Sequence, residues 1–67
     1  MTEVIAARAA YLAARNRVRQ TRLALGRAIA EARAQDIGQV AIARKLGLTR
    51  EQVRRYEVEY RESVAES

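Results

Sequence analysis

Apolar residues recur at a helical period along the first half of the chain. Successive residues of a helix lie about 100° apart around its axis. With this spacing, the apolar residues between Thr2 and Ala34 form a stripe beside an arginine-rich stripe, which predicts a single long amphipathic helix. Five apolar positions of this stripe are spaced by seven residues: Val4, Tyr11, Val18, Leu25 and Ala32. This heptad spacing favours pairing with another helix, although the companion heptad positions hold Ala or Thr instead of Leu.

The second half of the chain predicts two shorter helices. Asp36 and Gly38 are turn or cap residues and mark the first break. A second helix fits Gln39 to Leu46, and Gly47 ends it because glycine readily takes the left-handed conformation that closes a helix. A third helix follows this turn, so the sequence predicts an all-α fold.

Thr49 and Gln52 predict where the third helix begins. A Thr followed three residues later by Gln is the pattern of a capping box, in which each side chain bonds the backbone N–H of the other residue. No clear stop signal follows before about Ser63.

Three residues around the turn have an informative spacing. Ala43 is small where two helices would cross, Gly47 lies four residues on, and Val53 follows six residues later. These offsets are typical of a helix-turn-helix, in which Val53 anchors the last helix onto the others. The alternative is an ordinary helical hairpin with a glycine turn.

The segment resembles the helix-turn-helix family of bacterial DNA-binding proteins. Within that family, LGLTREQVRRYEVE is most similar to the last helix-turn-helix of bacterial sigma factors, region 4. The matching residues are Thr49, Arg50, Glu51, Val53, Arg54 and Glu57. The resemblance implies base contacts from Arg50 and Glu51 and backbone contacts from Thr49 and Arg54. Two promoter-reading positions differ here, so promoter recognition is not implied.

A helix docked in this way would present its outward side chains to DNA. Arg pairs with guanine and Glu accepts from the cytosine amino group. The candidates for base reading are Arg50, Glu51, Arg54 and Arg55. The candidates for the DNA backbone are Gln39, Thr49, Arg44, Lys45, Arg22, Arg27 and Arg33. The alternative is that these arginines form salt bridges on a solvated face, for instance Arg55 with Glu59.

Charge and composition narrow the class of function. The net charge is +5, and residues 1–34 account for it with seven Arg against two Glu. Arg bonds phosphate and guanine in a bidentate way, although an Arg-rich composition can also reflect the source genome. The chain has no His and no Cys, so we expect no enzyme, no metal site and no cofactor. Without a long apolar run, we expect a cytoplasmic, nucleoid-associated protein with no membrane partner.

The N-terminal half of the long helix has its own implication. A three-helix unit needs only the part of this helix from about residue 23 onward. The large apolar residues left uncovered are Val4, Ile5, Tyr11, Leu12 and Val18. Because exposed apolar stripes mark interfaces, we predict a homodimer through residues 1–22 and a DNA-binding unit in residues 23–67. The alternative is a bend near Asn16 that folds the chain back as a helical hairpin.

The sequence therefore predicts a small bacterial transcriptional regulator that binds double-stranded DNA sequence-specifically as a homodimer. Its recognition helix, about residues 49–62, would lie in the major groove, and two copies would read an inverted repeat. Two alternatives stay open. One is a helical adaptor that binds another protein, such as RNA polymerase or a phage or plasmid partner. The other is a nucleoid-type DNA binder of low specificity.

Overall fold

Three helices and no strands make up the fold. A computed structural model describes all 67 residues, with α1 at Thr2–Ala34, α2 at Gln39–Leu46 and α3 at Arg50–Ala65. The predicted all-α class is confirmed, and α3 runs slightly past the expected end near Ser63. None of the three helices combines the length and the apolar character that crossing a membrane requires.

Helix α1 is continuous through Asn16, so the alternative of a helical hairpin is wrong. The segment is rich in Ala, Arg and Leu and has no Pro, which leaves nothing to break the helix. The unbroken α1 gives the molecule its elongated shape, with extents of 53 × 29 × 15 Å.

The connection from α1 to α2 is a tight turn. Asp36 takes a left-handed φ of 66°, and the Ile37 N–H donates to the Ala32 carbonyl oxygen at 3.2 Å. Gly38 then occupies the N-cap position of α2 with an extended backbone. The break predicted at Asp36 and Gly38 therefore lies where the chain turns.

A small apolar core joins the three helices. It consists of Ile29 from α1, Ile42 and Ala43 from α2, and Val53 from α3, whose exposed fraction is 0%. Leu46, the last residue of α2, is half exposed at the edge of this core. Leu25 and Ala32 of α1 pack against this core, and the N-terminal half of α1 extends beyond it.

Helices α1 and α3 approach each other most closely at Gly26. A Cβ at this position would meet the carbonyl oxygen of Tyr56 and would lie 2.7 Å from the Cβ of Tyr60. In the sequence, Gly26 is only a residue of low helix propensity within a long helix. In the structure, its missing side chain lets the backbones of α1 and α3 pack together.

Candidate nucleic-acid interface

The turn between α2 and α3 is fixed by backbone hydrogen bonds. Gly47 takes a φ of 70°, and its N–H donates to the Ala43 carbonyl oxygen. The Leu48 N–H donates to the same oxygen at 2.9 Å. This left-handed closure is the one expected from the sequence, and it directs the chain into α3 within three residues.

Helix α3 begins with the predicted capping box. The Thr49 hydroxyl oxygen accepts from the Gln52 N–H at 3.1 Å, and the Gln52 side-chain oxygen accepts from the Thr49 N–H at 2.9 Å. The Thr49 hydroxyl still has its own proton to donate. Because a helix N-terminus attracts anions, this end of α3 is suited to a phosphate group.

The candidate base-reading residues lie exposed on the first two turns of α3, where three of them form an ionic cluster. The Arg54 guanidinium donates two hydrogen bonds to the Glu51 carboxylate, at 2.9 and 2.7 Å. The Arg55 Nε lies 3.6 Å from the same carboxylate. The alternative pair of Arg55 with Glu59 does not form, since Glu59 pairs with Arg22 of α1 at 2.8 Å.

Glu51 is therefore the shared partner of two arginines. The hydrogen bond from Arg54 is the main reason that the pKa of the Glu51 carboxyl lies below its usual value, with further contributions from the charges of Arg54 and Arg55. The same hydrogen bond raises the pKa of Arg54. All three side chains are at least half exposed, so an anionic ligand could compete for the two guanidinium groups.

Arg50 faces a different partner. Its Nε donates to the Gln39 side-chain oxygen at 3.3 Å, and the Gln39 amide nitrogen donates to the Glu57 carboxylate at 3.4 Å. A cation in the first turn of a helix is disfavoured by the helix dipole. The hydrogen bond that Arg50 donates to Gln39, which in turn donates to the carboxylate of Glu57, compensates for that position.

Glu57 is the buried charge of the molecule, with an exposed fraction of 5%. Arg61 donates two hydrogen bonds to it, at 3.0 and 2.8 Å, and the Arg33 Nε lies 3.7 Å away. Burial raises its pKa, but the hydrogen bonds from Arg61 and Gln39 and the nearby Arg33 charge together lower the pKa below the usual value. Glu57 therefore connects the middle of α3 to the end of α1 through Arg33 and to the start of α2 through Gln39.

From the sequence, Glu57 is only one of the residues that match the sigma-factor motif, and its burial was not predicted. The available signal was its position four residues after Val53, which puts both side chains on one face of the helix. Gln39 was expected to contact the DNA backbone, and the structure places it between Arg50 and Glu57.

The three candidate backbone contacts on α1 are all engaged within the chain. Arg22 bonds Glu59 at 2.8 Å and lies 6.0 Å from the centre of the Tyr56 ring. Arg27 bonds Glu31 at 3.2 Å, and Arg33 faces Glu57. A phosphate would have to compete with these carboxylates.

Arg44 and Lys45 differ from these α1 arginines. Both are exposed in the last turn of α2, and neither forms an ion pair. Of the candidate backbone residues, they are the cations with no carboxylate to displace.

The N-terminal half of α1 carries the candidate interface residues in an exposed state. The exposed fractions of Val4, Tyr11 and Val18 are 64%, 62% and 56%. Ile5 and Leu12 are also exposed, and each lies one residue further along the helix than Val4 or Tyr11, so about 100° around it. No other helix of the chain covers these side chains.

Comparison with known proteins gives no match. No family model, no curated protein and no solved structure is similar enough to this chain to indicate its family.

Proposed function

We propose that this protein binds double-stranded DNA sequence-specifically and acts as a small dimeric transcriptional regulator. In this proposal α2, the turn at Gly47 and α3 form a helix-turn-helix similar to that of bacterial sigma factors. The N-terminal part of α3, within about residues 49–62, enters the major groove.

The observation that carries this proposal is the arrangement at the start of α3. The fully buried Val53 and the capping box at Thr49 fix the helix, while Glu51, Arg54 and Arg55 project from its exposed face. Arg50 lies beside them, held by Gln39. A rigid helix end with three exposed guanidinium groups and one carboxylate offers donors for guanine and phosphate and an acceptor for cytosine.

The remaining contacts in this proposal go to the DNA backbone. Thr49 offers its hydroxyl proton, and Arg44 and Lys45 offer charges that no carboxylate neutralises. Such contacts supply affinity that falls as salt rises, whereas the exposed face of α3 supplies the discrimination between sequences.

Two copies would act together. The proposed division is residues 1–22 for dimerisation and residues 23–67 for DNA binding, and the exposed apolar side chains of the first part support it. A two-fold dimer would present two copies of α3, so its operator would be an inverted repeat.

Selection of bound sequences from random duplexes tests the proposal. We expect one consensus from the unmodified protein, and we expect the double variant Arg50→Ala, Glu51→Ala to lose it while staying folded. A matched control is Arg17→Ala with Glu66→Ala, which removes the same charges from exposed positions outside α2 and the start of α3. The control should retain the consensus.

Two outcomes favour the alternatives. Binding to duplexes without any consensus would favour a nucleoid-type binder. No binding to duplex DNA even at low salt would favour an adaptor that contacts another protein, for which the exposed apolar side chains of α1 are the supporting observation.

A further inference from the structure

An apolar groove of about 300 Å³ lies between α1 and α2. Leu25, Ala28 and Ala32 line it from α1, and Ile37, Ala41 and Leu46 line it from the opposite side. Lys45 is the one charged residue along the groove. An apolar groove of this kind on an isolated chain is suited to receiving another apolar segment.

The groove continues the heptad stripe of α1. Leu25 and Ala32 line the groove, and the three earlier members of the same repeat are exposed along the N-terminal half. Residues spaced by seven shift by about 20° per repeat around a straight helix. The side chains of this repeat therefore change direction gradually along α1, and its last two members face α2. Together the stripe and the groove form one apolar track, about 42 Å long at 1.5 Å per residue.

We propose that α1 of a second copy covers this track in an antiparallel orientation and places its first turns in the groove. The inference rests on the homodimer proposed above and specifies which surfaces meet. Each copy would supply both a groove and the helix end that fills the groove of the other copy, as a two-fold interface requires.

The position of Val18 supports this orientation. Val18 is the middle member of the repeat, 14 residues from Val4 and 14 residues from Ala32. A two-fold axis at Val18 therefore sets Val4 of one copy opposite Ala32 of the other, at the groove. An axis at Tyr11 would pair only the N-terminal halves and leave the groove empty. A parallel pair would put both grooves at the same end, with no helix end to fill either.

The size of the interface also supports a contact that includes the groove. Stable interfaces use about 20–30 residues from each partner, and only one side of the N-terminal half of α1 can face a second helix. Ile29 and Ile42 of the groove are buried in the core, and the other seven groove residues bring the contact surface closer to that range.

Charge also agrees with the antiparallel seating. Glu3 is the only acidic residue before Glu31, and it lies next to Val4, at the helix end that would enter the groove. Lys45, which lines the groove, has no carboxylate partner within its own chain. The proposed arrangement brings Glu3 of one copy to the groove that holds Lys45 of the other. In the dimer, Arg44 is then the α2 cation that keeps no carboxylate partner and stays available to the DNA backbone.

Thiol cross-linking without DNA tests this arrangement, and the absence of native cysteine makes single-cysteine variants unambiguous. Val18→Cys should give covalent dimers, because two copies of residue 18 would meet at the axis within disulfide range. Val4→Cys alone should stay monomeric on a denaturing gel, whereas Val4→Cys combined with Ala32→Cys should cross-link. Cross-linking of Val4→Cys alone would indicate a parallel pair. Preferential cross-linking of Tyr11→Cys would indicate pairing of the N-terminal halves only. Either result, or no cross-linking by any variant, overturns the proposal.

Sedimentation of a groove variant provides a second test that does not depend on cysteine geometry. Ala28→Glu places a charge on an exposed groove position and should shift the protein to monomer at tens of micromolar. Ala9→Glu, the same change on the opposite side of α1, should leave the dimer intact. Circular dichroism should show equal helix content in both variants, and a dimeric Ala28→Glu would contradict the proposal.

These tests are separate from DNA binding. If the Val18→Cys dimer forms but no duplex is bound, the arrangement of the dimer stands and the proposed function fails. If duplex DNA is bound with a consensus but the cross-links do not form, the function stands and this inference fails.

Discussion

Gly26 of α1 lies against the backbone carbonyl oxygen of Tyr56 in α3, with no space between them for a side chain. We predict that Gly26→Ala destabilises the protein although Ala favours helix by about 1 kcal/mol. The added methyl group would meet the backbone of α3, which cannot move without displacing Val53 from the core. Overpacking of this kind costs about 1–3 kcal/mol, so after the gain in helix propensity we expect the free energy of unfolding measured in urea to fall by up to about 2 kcal/mol.

Gly38→Ser is the matched control for this prediction. It also adds a side chain to a glycine, but no atom lies within 4 Å of the new Cβ, and the hydroxyl can cap α2. Its stability should equal or slightly exceed that of the unmodified protein. An unchanged unfolding midpoint for Gly26→Ala would mean that the two helices separate easily at this point.

The helix boundaries could be predicted because each depends on neighbouring residues. Gly47 ends α2, and Thr49 with Gln52 starts α3, through hydrogen bonds within a few positions of the chain. The role of Gly26 could not be predicted in this way. It depends on where α3 crosses α1, some 30 residues later, and the spacing of apolar residues does not specify that crossing point.

In the candidate site, too, some features could be predicted from neighbouring residues and others depend on tertiary packing. Exposure of Arg54 and Arg55 follows from the helical position of Val53, so the sequence indicated it. The engagement of Arg22 by Glu59 and of Arg33 by Glu57 joins α1 to α3 and depends on tertiary packing. The sequence therefore predicts Arg22, Arg27 and Arg33 as phosphate contacts, although in the structure each already has a carboxylate partner.

Gly47 leads to a prediction about backbone strain alone. Its φ of 70° is unfavourable for residues with a side chain, and a Cβ added here would have no neighbouring atom within 4 Å. Gly47→Ala should therefore lower the free energy of unfolding by about 1–2 kcal/mol. Gly47→Asn should cost less, because Asn tolerates the left-handed region. Equal stability of the two variants in thermal unfolding would argue against strain as the cause.

Glu57 predicts how stability depends on pH. Because its pKa is lowered in the folded state, its contribution is fully present above the unfolded pKa of about 4.3 and is lost as the pH falls through the folded value. Urea unfolding should therefore show decreasing stability below about pH 5. In Glu57→Gln this decrease should be shallower, and stability at pH 7 should be lower by about 1–3 kcal/mol because the hydrogen bonds to Arg61 and Gln39 are weakened.

Glu59→Gln is the comparison for the pH experiment. Glu59 bonds a single arginine, Arg22, and is more exposed than Glu57, so its replacement should change stability by less than about 1 kcal/mol. If the two variants had the same pH dependence as the unmodified protein, other carboxyl groups would be responsible for its acid sensitivity.

Glu51 controls the availability of two arginines, and its replacement should separate affinity from specificity. In Glu51→Gln the carboxylate that holds Arg54 and Arg55 is gone, so both guanidinium groups become available to phosphates. Under the proposed function, affinity for arbitrary duplexes should rise several-fold at low salt, and the dependence of log K on log salt should steepen by about one to two units. The preference for the consensus over random duplexes should fall, because the acceptor for cytosine is lost.

Glu62→Gln is the control for this last experiment. Glu62 lies on the same exposed side of α3, three turns later, and forms no ion pair, so its replacement removes the same charge without releasing an arginine. It should raise non-specific affinity less than Glu51→Gln and leave the consensus unchanged. Equal effects in fluorescence anisotropy titrations would show that net charge, and not the release of Arg54 and Arg55, determines the affinity.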